Sequence, residues 1–125
     1  MRRLFCSLLC AAFILIVLPL SGAYLTFMPT TLTQPDGTKL ECFASGDEYH
    51  NWLHDKDGYT IIQSQSNGYY CYAQKSGSQI VASDLIAGRD NPAVRGLQPN
   101  INISRGAYRE LRNTRFQMSE TRDAP

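Results

Sequence analysis

Charge of one sign is missing from this sequence. Its 125 residues hold 12 Lys+Arg against 11 Asp+Glu, a net charge of +1. A nucleic-acid binder held by a strong basic field is thereby disfavoured. The chain is also short of catalytic signatures. It has two histidines and one tryptophan, no phosphate loop, no discernible Ser-His-Asp or Cys-His arrangement and no internal repeat. Its length suits one domain and leaves no room for a deep two-domain cleft. At 43% hydrophobic and 10% aromatic, the composition argues against disorder throughout.

The amino terminus has the parts of an export signal. Arg2 and Arg3 precede an almost wholly apolar run from Leu4 to Leu20, and Ser21-Gly22-Ala23 supplies the small residues of a cleavage site. Cleavage is expected between Ala23 and Tyr24, giving a secreted or periplasmic product. A retained membrane anchor is the rival reading. Seventeen residues of helix rise about 25 Å, short of the roughly 30 Å hydrocarbon core. After cleavage no membrane association is expected. Cys6 and Cys10 leave with the signal, while Cys42 and Cys71 stay in a compartment that permits oxidation.

The remaining chain divides by charge. Residues 24–87 hold 3 Lys and 7 Asp+Glu, whereas residues 88–125 hold 7 Arg and 4 Asp+Glu. Gly88-Arg89-Asp90-Asn91-Pro92 opens the second part with linker chemistry. The expected organisation is a small α+β domain over 24–87, a linker over 88–104, a basic helix over 105–118 and a frayed tail over 119–125.

Within the first part, Phe27–Thr33 and Lys39–Ala44 read as strands joined by the turn Pro35-Asp36-Gly37-Thr38. Leu40, Cys42 and Ala44 fall on one face, Lys39, Glu41 and Phe43 on the other. Ser45-Gly46-Asp47 then offers a helix cap, and Tyr49, Trp52 and Leu53 fall at i, i+3 and i+4. That spacing predicts a short helix ending at Asp57-Gly58, with Trp52 buried against the sheet. Tyr59–Gln65, Tyr69–Ala73 and Gln79–Ala82 read as further strands, turned at Ser66-Asn67-Gly68 and Ser76-Gly77-Ser78. The expected fold is a small antiparallel sheet with one helix packed on it, followed by a linker and a basic C-terminal helix. Its core is expected to contain Tyr49, Trp52, Leu53, Tyr59 and Ile61. Ser104 is placed to cap the basic helix.

Several constellations invite chemistry. His50 and His54 stand at i and i+4 on the expected helix, a spacing that can grip zinc. The zincin pattern needs Glu after the first His, and Asn51 stands there. Surface or hydrogen-bonded histidines are the preferred reading, and no metal or catalytic residue is assigned. Asp55-Lys56-Asp57-Gly58 lacks the remaining ligands of a calcium loop and reads as a turn. Cys42 and Cys71, on different strands, read as a disulfide that would contribute about 3–4 kcal/mol. Two buried thiols, or a cysteine directed at a protease zinc, are the alternatives. Asn102-Ile103-Ser104 fits a glycosylation sequon too short to carry weight. The arginine-rich helix reads as solvated or partner-facing.

Taken in order, Gln34-Pro35-Asp36-Gly37-Thr38, Ala44-Ser45-Gly46-Asp47-Glu48-Tyr49, Trp52-Leu53, Asp57-Gly58-Tyr59-Thr60 and Gly68-Tyr69-Tyr70-Cys71-Tyr72-Ala73 carry a resemblance. The set resembles the amino-terminal pro-region of secreted bacterial metalloproteases of the M6 family, the immune-inhibitor-A-like enzymes. The similarity runs from Leu25 to about Gln117 and includes Leu97-Gln98-Pro99-Asn100-Ile101. The family's H-E-x-x-H helix does not occur, and the chain stops where the catalytic domain would be expected to begin. No catalytic residue of the family therefore carries over, and zinc is expected only in that missing domain. The resemblance implies a non-catalytic pro-domain that meets a protease domain in cis or in trans, as inhibitor or folding template. The 105–118 segment would be the tether cut on activation. The alternative function is a free-standing extracellular binding module, offering Tyr69, Tyr70 and Tyr72 as an aromatic strand face to a peptide or glycan.

Overall fold

A computed structural model describes residues 24–122. Residues 1–23, the expected signal, and the last three residues lie outside it, so the expected cleavage site is represented only by an exposed Tyr24. Six strands, β1 (Leu25–Thr33), β2 (Lys39–Gly46), β3 (Asn51–His54), β4 (Thr60–Gln63), β5 (Tyr70–Ser76) and β6 (Gln79–Ile86), are followed by one helix, α1 (Arg105–Arg122). The strands form a single antiparallel sheet in chain order, which makes the fold α+β. Chain-order pairing follows from the turns. Gly37, Gly58, Gly68 and Gly77 all adopt positive φ at hairpin ends, a conformation open to glycine at little cost.

The sheet curls around one core. Leu40, Cys42, Ile61, Tyr72, Leu85 and Ala87 form the buried cluster, with Leu53, Tyr59 and Tyr70 packed beside it. The register explains the membership. Ala44 pairs with Leu53, Leu53 with Ile61 and Ile61 with Tyr72, so these residues share the inner face. The expected alternation in β2 is present: Leu40 and Cys42 are buried while Lys39 and Glu41 are exposed.

Gln34, just past β1, ties the curled sheet together. Its side chain is 4% exposed. Nε2 donates to the carbonyls of Tyr70 (3.1 Å) and Ala87 (3.2 Å), and Oε1 accepts from the Tyr70 N–H (2.9 Å). One amide thereby links the end of β1 to β5 and to the residue that follows β6.

The helix expected around Trp52 does not form. Residues 51–54 are strand β3, joined to β2 by a tight loop. Asp47 Oδ1 accepts from the N–H groups of Tyr49 and His50, and the Asp47 N–H donates to the His50 carbonyl. Gly46 makes the reversal at φ +125, where a Cβ would collide with the His50 carbonyl. The acidic residue read as a helix cap instead closes a turn. Pairing on both sides of the strand then imposes period two. Trp52 and Leu53 face opposite ways, and the i, i+3, i+4 apolar stripe is not one face.

The segment 88–104 lies against the sheet. Leu97 packs on the core and Ile101 is 8% exposed. The Asn100 N–H donates to the Gly58 carbonyl at 2.8 Å, and Thr60 Oγ1 donates to the Ile101 carbonyl at 2.6 Å. Ser104 caps α1, its Oγ accepting from the Ala107 N–H at 3.1 Å.

Candidate functional site

The outer face of β2 and β3 carries the histidines. His50, Trp52 and His54 stand at alternate positions. Trp52 stacks on His50 with ring centroids 5.7 Å apart and lies 6.3 Å from His54. Phe43 is paired with His54 across the ladder, and Phe27 closes over both. The Phe27 ring meets His54 edge-on at 4.6 Å and Phe43 at 5.5 Å. Phe27 sits in the β1 bulge at φ +50, an uncommon conformation for a side-chain-bearing residue. Its N–H donates to Ser45 Oγ at 3.0 Å, which holds the bulge in place.

Both imidazoles are engaged. His54 is 3% exposed. Its Nδ1 donates to the Asp55 carbonyl at 2.9 Å, which leaves Nε2 to accept the Ser45 hydroxyl at 2.7 Å. This serine–histidine contact is buried beneath Phe27 and Phe43. His50 Nε2 donates to Asn102 Oδ1 at 2.8 Å. Among the described residues, no group of three His, Cys, Asp or Glu side chains is arranged to hold a metal ion. Asp55–Gly58 is a turn in which Asp55 Oδ1 accepts from the N–H groups of Asp57 and Tyr59.

The cysteines correct the expected bridge. Cys42 and Cys71 are both buried, free thiols. Cys42 lies on the inner face with Leu40. Cys71 precedes Tyr72 and pairs with Ile62, so it points to the outer face. Two side chains on opposite faces of one sheet cannot meet the geometry of a disulfide. Cys42 Sγ donates to the Thr30 carbonyl and Cys71 Sγ to that of Tyr69. Burial pushes both thiols up from the ordinary value, so neither is primed as a thiolate.

Tyr72 belongs to the core, and Tyr70 and Tyr59 pack against it. Tyr72 is 6% exposed, and its ring meets Tyr59 edge-on at 6.2 Å. Tyr70 packs against the same cluster, so these two rings do not form an open aromatic face. Of the expected core set, Ile61 is fully buried, while Tyr49, Trp52, Leu53 and Tyr59 are half-buried. Trp52 and Tyr49 lie outside the main cluster.

A cleft of about 570 Å³ opens beside Trp52, between the outer face of β3 and β4, the β5–β6 turn and residues 102–107. Its walls include Trp52, Ile62, Ile80 and Ile103, and its polar groups include Asn51, Gln79, Asn102 and the His50 imidazole that is bonded to Asn102. No Asp, Glu, Lys or Arg lines it, although 23 of the 125 residues are charged. Neither periodicity nor a motif marks this cleft in the sequence, because its walls come from four separated segments.

Helix α1 forms the second distinctive feature. It runs 18 residues without one buried side chain. Tyr108 donates its hydroxyl to Asp47 Oδ2, Tyr49 meets Tyr108 edge-on at 6.4 Å, and Tyr49 stacks on Phe116 at 6.1 Å. Arg112 lies over Phe116 at 5.7 Å. Leu111 and Met118 remain 44% and 67% exposed among five arginines. Among the described residues, no helix is long and apolar enough to cross a membrane. Comparison with family models, curated proteins and solved structures finds no match.

Proposed function

We propose that this chain is a non-catalytic, exported pro-domain that docks on a zinc metalloprotease domain of the M6 type, in cis or in trans. The observation that carries the reading is helix α1. It projects from a folded sheet domain, buries no side chain of its own and exposes Leu111 and Met118 in an arginine-rich surface. An isolated helix of this length is marginal in water, so its persistence calls for a second surface. The arginines also suit a tether that is cut during activation. The sheet domain supports the non-catalytic half of the proposal. The Ser45–His54 contact is buried, and the Cys42 and Cys71 thiols are buried with raised pKa.

The test mixes the purified 24–125 fragment with a mature M6-type protease. The expected result is saturable binding at micromolar concentration, with slowed peptide hydrolysis or a higher refolding yield of the protease. Absence of binding, inhibition and refolding assistance would overturn the reading. Peptide hydrolysis by the fragment alone, stopped by a chelator, would overturn its non-catalytic part.

A further inference from the structure

The β3–β4 ladder is incomplete. Only Leu53–Ile61 and His54–Thr60 pair, although both strands continue, β3 back to Asn51 and β4 on to Gln63. The direction of the main-chain groups follows from the neighbouring bonds. The Asp55 N–H donates to the Tyr59 carbonyl, so residues 51, 53 and 55 turn their N–H and C=O toward β4, and residues 59, 61 and 63 turn theirs toward β3. Consistently, the Asp47 N–H donates to the His50 carbonyl and the Ser64 N–H to the Tyr69 carbonyl, which assigns the alternate residues to the other two ladders. Asn51 and Gln63 would be the next pair, and they are not joined. The two strands thus form a fork whose open end carries main-chain donors and acceptors without a ladder partner.

The uncharged cleft opens at this fork, with Asn51, Trp52 and Ile62 in its lining. We propose that it binds an extended, uncharged peptide of a partner polypeptide. The peptide adds a strand to the open main-chain groups at the fork and turns alternate aliphatic side chains onto Trp52, Ile62 and Ile103. Strand addition at an unpaired edge is an established way for a sheet to hold a peptide. The charge match selects the occupant. A wall without a carboxylate, lysine or arginine offers no opposite full charge to compensate a desolvated lysine or glutamate, so charged peptides are rejected. The site borders the first turn of α1 at Ala107 but does not use the exposed Leu111 and Met118, and it stands or falls separately from the docking role given to that helix.

Trp52 is the chain's single tryptophan, so its emission reports on the cleft directly. The probe is a capped pentapeptide alternating valine and threonine, titrated into the purified protein. Two comparison peptides complete the set: one with N-methylated backbone amides and one with lysine in place of threonine. The expected result is a saturable change in Trp52 emission below about 1 mM, at least about tenfold weaker for both comparison peptides. Hydrogen exchange at the Asn51 or Gln63 amide should slow when the first peptide is bound. Gln63→Pro removes an N–H that faces the fork and not the β4–β5 ladder, and should weaken binding about tenfold. Should that variant not fold, exchange in the unaltered protein decides the matter. No saturable change up to about 1 mM, equal binding of the N-methylated peptide, or unaltered exchange at both amides would each overturn the proposal. Equal binding of the N-methylated peptide would identify a plain apolar pocket in place of a strand site.

Discussion

The side-chain amide of Gln34 pairs with the main chain of Tyr70 as a neighbouring strand would, giving one hydrogen bond and accepting another. A third bond, to the Ala87 carbonyl, uses the remaining donor. Gln34→Ala leaves the Tyr70 N–H and the Ala87 carbonyl without this partner, while the Tyr70 carbonyl keeps the Ala87 N–H, and should cost about 2–4 kcal/mol. Urea denaturation checks this. A change below about 0.5 kcal/mol would mean that the curled sheet does not depend on this amide.

Ile61 and Trp52 are separated by the sheet. Ile61 is 3% exposed in the core cluster, whereas Trp52 is half-buried on the outer face. Ile61→Ala should therefore cost about 3 kcal/mol, and Trp52→Phe less than about 1 kcal/mol. Thermal melts of both variants decide the order. The reverse order would restore Trp52 to the centre of the core.

Cys42 and Cys71 should stay reduced in an oxidising buffer. Their side chains point to opposite faces, so neither mild oxidation nor refolding in air should form the intramolecular bridge. Thiol labelling of the native 24–125 fragment should be slow and should become rapid in denaturant. Because burial raises both thiols above their ordinary pKa, native labelling should also lag that of a free cysteine at pH 8. A native product lighter by two hydrogens would contradict the assignment.

Asp47 links pH to the helix. The Tyr108 hydroxyl, donating to its carboxylate, holds Asp47 below the ordinary value of 3.8. A carboxyl with a depressed folded pKa contributes stability that is present above the unfolded value and lost as pH falls through the folded one. Docking of α1 should accordingly weaken in acid below about pH 4. Tyr108→Phe should remove this pH dependence and loosen the helix at neutral pH as well. Emission and exchange of α1 amides against pH give the readout, and an unaltered acid profile in Tyr108→Phe would show that another group governs docking.

The sequence shows the hairpins plainly, because each turn needs residues that its backbone demands. Asp36-Gly37, Asn67-Gly68 and Ser76-Gly77-Ser78 all stand at turns between strands. Ser104 marks the start of α1 at Arg105, although the helix continues to Arg122, beyond the expected end. The stretch from Asp47 to His54 misleads for a local reason. Its apolar residues match a helical stripe by accident of spacing, while Gly46 and Asp47 form a turn whose geometry becomes evident only when the His50 carbonyl arrives.

Sequence alone determined five of the six strands, the hairpin turns that join them and the exposed, basic character of the last helix, since each depends on contacts between near neighbours. Tertiary structure decided which face each residue takes. Register places Cys42 and Cys71 back to back, sends Trp52 outward and Ile61 inward, and stops the third ladder short to open a fork. Those outcomes depend on residues far apart in the chain meeting across a curled sheet, and a one-residue change of register would reverse every one of them.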